Sequence, residues 1–428
     1  MYKRIVYIAL LGLSFSGYCQ NKSYPDYRYS PIHLSVVPGL SSHRIEPNNF
    51  YNGISLNLIA GYSAGNRILE IGGVSNFNKY SSTGIQIAGL SNIVGGDRRE
   101  VKQYKTKELQ ELSANFQGIQ IAGLQNIVTG DFKGIQLSGG INNNDGIFYG
   151  FQTAGLINKT GGYLYGLQIS GLANLVMNYS SGFQFAGLMN VTRGSLHGIQ
   201  IAPFNFAKEL YGPKSQSDLS HGLQVGLFNK TGNMDGYQIG LVNKSDDSKG
   251  LQIGLVNIMQ RSGGYPIALL NYGSGVQAGM RVWTNDYLLS NVGFSTGNDK
   301  LQNILYYGKN FLNDNEINWV IGYGLERNVY INNEDIIISY QLFSSWVNPT
   351  EKFNKALNMI LTPMFSVSKH LDHGIYLYLG VGLNAWLKTE NKEMNANNFS
   401  PRWIISESEL NSNNLLLWPA LSIGIRTN

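Results

Sequence analysis

Residues 118–126 read GIQIAGLQN, and the phrase returns as GIQLSGGIN at 134–142, GFQTAGLIN at 150–158, GLQISGLAN at 166–174 and GFQFAGLMN at 182–190. The unit is G-x-Q-x-(A/S)-G-L-x-N. Its glutamines are Gln86, Gln120, Gln136, Gln152, Gln168, Gln184, Gln200, Gln224, Gln238 and Gln252. From Gln120 to Gln200 every step is 16 residues, and the last two steps are 14. Glu70 stands 16 residues before Gln86 and heads an earlier copy that ends in Asn76, which makes 11 copies. A fixed period of this kind marks a repeat architecture.

Each copy reads as extended chain. In GLQIGLVN (250–257), Leu251, Ile253 and Leu255 fall on one face, and Gln252, Gly254 and Val256 on the other. That is the period-2 alternation of a strand, and glycines inside every apolar stretch argue against helix. Two all-β architectures satisfy the pattern. In the first, an antiparallel outer-membrane β-barrel of about 20–22 strands is built largely from the 14–16 residue repeats, one strand per copy. The alternative is a β-solenoid, one coil per copy, followed by a C-terminal β-barrel-like region.

The turns favour the barrel. Thr129-Gly130-Asp131, Thr160-Gly161-Gly162, Thr192-Arg193-Gly194 and Thr231-Gly232-Asn233 follow odd-numbered copies, whereas insertions near 96–117 and 207–220 follow even-numbered ones. Coils of a solenoid give no reason for such alternation, but the two ends of a barrel do. One feature opposes this. Gln and Asn are six apart in the 16-residue copies and five apart in the 14-residue copies, so a plain strand sends Asn to opposite faces unless a bulge intervenes.

Of 428 residues, 51 are Gly and only 14% are charged, with 26 Tyr and 18 Phe. Glycine is thus well above its usual ~7%, and the composition is the reverse of a disordered chain. No run approaches the ~20 apolar residues of a membrane-spanning helix. A net charge of +5 spread over this length is no nucleic-acid patch. Lys3 and Arg4, the apolar stretch Ile5–Phe15, and small Ser16 and Gly17 read as a signal peptide over residues 1–19. The one cysteine, Cys19, lies at its end, so the mature chain has no disulfide and no thiolate metal site.

Residues 20–273 form the repeat-containing region. Residues 274–428 read as further strands completing the same barrel, separated by polar segments such as Asn313-Asp314-Asn315. Among the aromatics there, Tyr306, Tyr307, Trp319, Tyr323, Tyr330, Tyr340, Trp346, Tyr376, Tyr378 and Trp386 suit interfacial girdles.

GIQIAGLQN, GLQISGLAN and GLQIGLVN, with the lead-in SLNLIAGYSAGNRILEIGGVSN (55–76), resemble the surface-repeat proteins of Gram-negative bacterial envelopes, of the G-x-Q-x-G-L-x-N repeat type. The resemblance covers roughly residues 32–273 and implies an outer-membrane or cell-surface location without an agreed activity. The chain ends in Asn428, whereas outer-membrane barrels commonly end in an aromatic residue.

Catalytic signals are weak. His370-Leu371-Asp372-His373 has metal-like spacing but falls between strands, where a solvated turn is the better reading. Ser368 with His370 is the most that a barrel hydrolase could claim. Asn158-Lys159-Thr160 and Asn229-Lys230-Thr231 match a glycosylation acceptor as a by-product of the repeat. The chain therefore reads as non-enzymatic, with no cofactor and no metal. The ten glutamines are the candidate lumen-lining residues, an uncharged wall for neutral polar solutes. In the insertion 97–116, Leu109, Leu112 and Phe116 are spaced as a short amphipathic helix. Outer-membrane lipid is the expected partner, and the sequence names no solute, surface partner or oligomeric state.

Overall fold

The computed structural model describes residues 27–44, 46–95, 114–210, 222–311, 317–331, 335–348, 358–389, 403–410 and 413–427. The leader and most of both insertions, with the helix expected at Leu109 and Leu112, lie outside them. Phe116 belongs instead to the strand Phe116–Ala122.

The chain adopts the second architecture. Arg28–Tyr272 winds into a parallel β-solenoid of about 12 turns, and Gln277–Thr427 closes into a separate eight-stranded antiparallel barrel. A typical coil has two strands, such as Phe132–Ser138 and Ile141–Asn144, joined at a Gly139-Gly140 corner. Coils stack in exact repeat register: Gln120, Gln136 and Gln152 pair in one column, and Asn126, Asn142 and Asn158 in another. The large repeat barrel is therefore corrected to a solenoid, and the strand pairing is parallel rather than antiparallel.

Two physical reasons account for the difference. First, the turns are equivalent once aligned by pairing: Gly130, Gly146 and Gly162 hold one corner, with Gly146 N–H donating to Gly130 O at 3.0 Å and Gly162 N–H to Gly146 O at 2.9 Å. The odd–even contrast lies in side chains, not in the turns: in register, Thr160, Thr192 and Thr231 alternate with Asn144, Val176 and Ala207 in one buried column. Secondly, the parity conflict disappears because a corner separates Gln from Asn. Each lies on its own wall, and both point inward. The glycines make the stacking possible. At Gly150 φ is +133°, and a Cβ would stand 2.0 Å from Gly134 O, so no other residue fits there.

The barrel strands are Gln277–Asn285, Ser290–Gly297, Gln302–Lys309, Trp319–Ile331, Ile336–Asn348, Asn358–Asp372, Ile375–Thr389 and Asn413–Thr427. The last closes on the first through Arg281 opposite Arg426 and Asn285 opposite Ser422. A short strand, Ser406–Leu410, pairs with the start of the last one. Pro419 sits between these two partners of its strand, where its missing N–H costs no ladder bond.

Eight strands leave an interior that side chains can fill. Trp283, Tyr287, Tyr306, Phe343, Trp386 and Trp418 pack there. Glu326 is clamped by Arg281 at 2.9 Å and Arg426 at 2.7 Å, all three buried. Outward positions are apolar, including Phe294, Leu305, Ile321, Leu379, Val381 and Ile423. Of the expected girdle residues, Tyr306, Tyr376, Tyr378 and Trp386 turn inward, whereas Tyr307 and Tyr340 are exposed.

The two units meet at the barrel's side wall. Thr296, Asn303 and Tyr323 alternate with inward residues and so share the outer face with Phe294, Leu305 and Ile321. Asn303 Nδ2 donates to Pro266 O at 2.6 Å and its Oδ1 accepts from Ala268 N at 3.1 Å, while Asn271 N donates to Thr296 Oγ1 at 3.1 Å. Asn298 Nδ2 donates to Gly264 O at 2.9 Å. The open edge of the last coil is thus paired by side chains rather than left as a template for another strand.

Candidate functional site

All ten glutamines are buried in the interior of the solenoid, in a single ladder, and none lines a barrel lumen. From Gln120 onward each side-chain amide donates to the carbonyl oxygen of the glutamine one coil earlier. The contacts are 2.7 Å from Gln120 to Gln86, 2.9 Å from Gln136 to Gln120, 2.7 Å from Gln168 to Gln152 and 2.8 Å from Gln252 to Gln238. Pro266 takes the glutamine position in the last coil and stops the ladder.

A second ladder, which the repeat motif holds in plain view as its terminal Asn, runs beside it. Asn76, Asn92, Asn126, Asn142, Asn158, Asn174, Asn190, Asn205, Asn229, Asn243 and Asn257 each donate from Nδ2 to Oδ1 of the next asparagine at 2.9–3.1 Å. The same Nδ2 also reaches a backbone carbonyl of the next coil, as from Asn142 to Thr153 O at 2.6 Å. Both amide protons are therefore used, and the corner beside each Gly-Leu is tied down. The two ladders have opposite polarity: Gln donates toward the amino terminus and Asn toward the carboxyl terminus.

Those directions decide the ends. The Gln ladder delivers its donors to Glu70, whose Oε2 accepts from Gln86 at 2.9 Å and Asn78 at 2.7 Å, and whose Oε1 accepts from Asn57 at 3.2 Å. A carboxylate, which only accepts, is the side chain for such a place. Burial pushes its pKa up to about 7, against the lowering effect of the three amide donors. Near it, His33 Nδ1 lies 2.5 Å from His43 Nδ1, with the rings stacked; burial and the neighbouring His43 bring His33 down to about 4. At the other end the Asn ladder finishes on Asn271, which donates to Thr296 of the barrel.

Beside the amides runs an apolar column. Phe116, Phe132, Phe148 and Leu164 are fully buried, with Phe132 and Phe148 stacked at 5.0 Å. The outside of the solenoid is apolar too. The Leu of each G-L-x-N corner points outward, and Leu90, Leu124, Leu156, Leu172, Leu188, Leu227, Leu241, Leu255 and Leu269 are each 44–54% exposed. Ile85, Ile121, Ile135, Ile169, Ile201 and Ile239 flank them on the preceding strands. At the opposite corner stand Asp131, Lys133, Arg193, Lys208, Asp235 and Lys249, all exposed. Each coil is thus polar within, apolar on one outer edge and charged on the other.

The remaining candidates do not assemble. His373 (φ +49°) and Asp372 form a 2.6 Å pair in an exposed turn. Ser368 is buried in the barrel with its hydroxyl unpartnered, and the His370 ring rests against Tyr376. Asn158 and Thr160 are fully buried, which removes that triplet as a glycosylation acceptor. Gly61-Tyr62-Ser63-Ala64-Gly65 matches the G-x-S-x-G pattern in sequence. Ser63 ends a strand with its Oγ turned inward onto Asn78 Oδ1 at 2.6 Å, so it lacks the exposed elbow a nucleophile needs. Among the described residues no group of three or more His, Cys, Asp or Glu side chains is gathered. No family model, curated protein or solved structure matches this chain.

Proposed function

We propose that this protein is a non-catalytic outer-membrane protein in which the barrel is the anchor and the solenoid is a structural or adhesive arm. The observation that carries the reading is the barrel itself: closed, apolar outside and filled inside. An apolar outer wall suits lipid, and an interior occupied by six aromatic side chains and the Arg281–Glu326–Arg426 trio suits a plug rather than a passage. The repeat resemblance to envelope surface proteins points the same way, and so does the leader-like amino terminus. Passage of neutral polar solutes would need the glutamines around an open lumen, and they are spent on one another.

Purified protein in detergent should migrate faster on a gel when unheated than when boiled, as closed barrels do. In a planar bilayer the refolded protein should give no conductance steps. Solubility in plain buffer together with heat-insensitive migration would sink the anchor reading, and regular conductance steps would restore the porin-like one.

A further inference from the structure

We propose that the solenoid lies along the membrane surface, with its leucine corner sunk in the leaflet at the short-turn end of the barrel. This rests on the reading of the barrel as a membrane anchor. The partner is lipid, and the reason is where the last coil meets the wall. Passing along that coil from Ser262 and Gly264 through Pro266 to Ala268, the barrel partners are Asn298, then Asn303, then Tyr323. Asn298 lies in the hairpin turn. Asn303 is the second residue of its strand, and Tyr323 pairs with Leu305, three residues in from Gln302. The coil therefore descends the wall from the turn toward mid-barrel. Its charged corner stays level with the turn, where Lys300 Nζ donates to Gly263 O at 2.6 Å. Its leucine corner, at Leu269, reaches the start of the apolar band formed by Phe294, Leu305 and Ile321.

Parallel register carries that placement along the whole arm. The corners lie one over the next, with leucine at nine of the 11 positions from Leu90 to Leu269 and Gly140 and Pro203 at the other two, so the ridge continues the barrel's apolar band sideways. At ~4.8 Å per stacked strand the ten steps from Leu90 to Leu269 make a ridge roughly 50 Å long, far beyond the scattered apolar exposure of a protein surrounded by water. The coil end faces the side wall rather than the mouth, which sends the solenoid axis out across the membrane and not along the barrel axis. Tyr149 and Tyr165, stacked at 4.8 Å, stand in the column of Lys133 at the charged corner, away from the ridge.

Site-directed labelling of the full chain tests this cleanly, because Cys19 is its one cysteine. In a Cys19→Ser background refolded into phosphatidylcholine–phosphatidylglycerol vesicles, an environment-sensitive fluorophore is attached to Leu172→Cys or Leu241→Cys on the ridge, to Lys133→Cys or Asp235→Cys at the far corner, and to Leu379→Cys on the barrel. Brominated lipid should quench the ridge and barrel labels strongly and leave the far-corner labels unchanged, while aqueous iodide should do the reverse. Quenching at Leu379 with ridge labels open to iodide overturns the inference and keeps the anchor. Ridge labels shielded from both quenchers assign the ridge to a second copy or another protein and also overturn it. No lipid quenching at Leu379 removes the anchor reading itself.

Discussion

Glu70 occupies the glutamine column, yet its two oxygens receive Asn57, Asn78 and Gln86, three donors that no single amide oxygen could serve as well. Its pKa is pushed up to about 7 by burial, above the ordinary carboxylate value of 4.5. A raised carboxyl pKa means that the folded state binds a proton the unfolded chain has released. Stability from this group is then greatest below about pH 4.5 and falls as pH rises toward 7, by on the order of 3 kcal/mol in all. His33, whose pKa is depressed to about 4, acts with the opposite sign over much of the same range. The difference between wild type and Glu70→Gln isolates the carboxyl. Denaturant midpoints should show the wild type losing stability relative to Glu70→Gln between pH 4.5 and 7, and a pH-independent difference would defeat the assignment.

At the scale of the element, the ladder is a chain of shared bonds, and position within it sets the cost of breaking it. Gln168 donates to Gln152 and Thr160 and accepts from Gln184. Gln168→Leu strands a carbonyl on one side and an amide on the other, at about 1–3 kcal/mol each. Gln252 has Pro266 rather than another glutamine beyond it, and its carbonyl accepts only a 3.3 Å bond from Ser248 Oγ, so Gln252→Leu should cost less than Gln168→Leu, measured by urea unfolding. Equal losses would mean that the amides are not coupled.

The period, the strands and the inward glutamines were legible in the sequence, because a 16-residue spacing and a period-2 alternation are written in the residues. The direction of pairing was not. Alternation is the same in parallel and antiparallel sheets, and Thr160, Thr192 and Thr231, on every second coil of one column, imitate the two ends of an up-and-down barrel. The asparagine ladder was visible as a motif position but not as a network, since only stacked coils bring residues 16 apart to within 3 Å. Apolar residues outside and amides inside describe a lipid-facing barrel wall and this solenoid equally well.

For the whole molecule, the barrel's connections are unequal. At one end Gly297 to Gln302, Ile331 to Ile336 and Asp372 to Ile375 are all short, whereas the other end has the short Asn285 to Ser290 but also the long Lys309 to Trp319, Asn348 to Asn358 and Thr389 to Asn413. In outer-membrane barrels the short turns face the periplasm and the long loops face outward. The solenoid joins at the short-turn end, so on the proposed function the arm lies inside the envelope and only the loops are displayed. In intact cells a membrane-impermeant maleimide should label Trp403→Cys, in the longest loop, and leave Lys133→Cys unlabelled until the outer membrane is permeabilised. Labelling of Lys133→Cys in intact cells would put the arm on the cell surface.

The opposed ladders have one more effect. Aligned amides add their dipoles, and a single file of ten would build an axial field that grew with every coil. Here each coil contributes one step in each direction, so the sum stays near zero whatever the number of coils. The arm can be lengthened or shortened by whole repeats without changing the electrostatic load on Glu70 at one end or Thr296 at the other, which makes its reach a freely adjustable dimension.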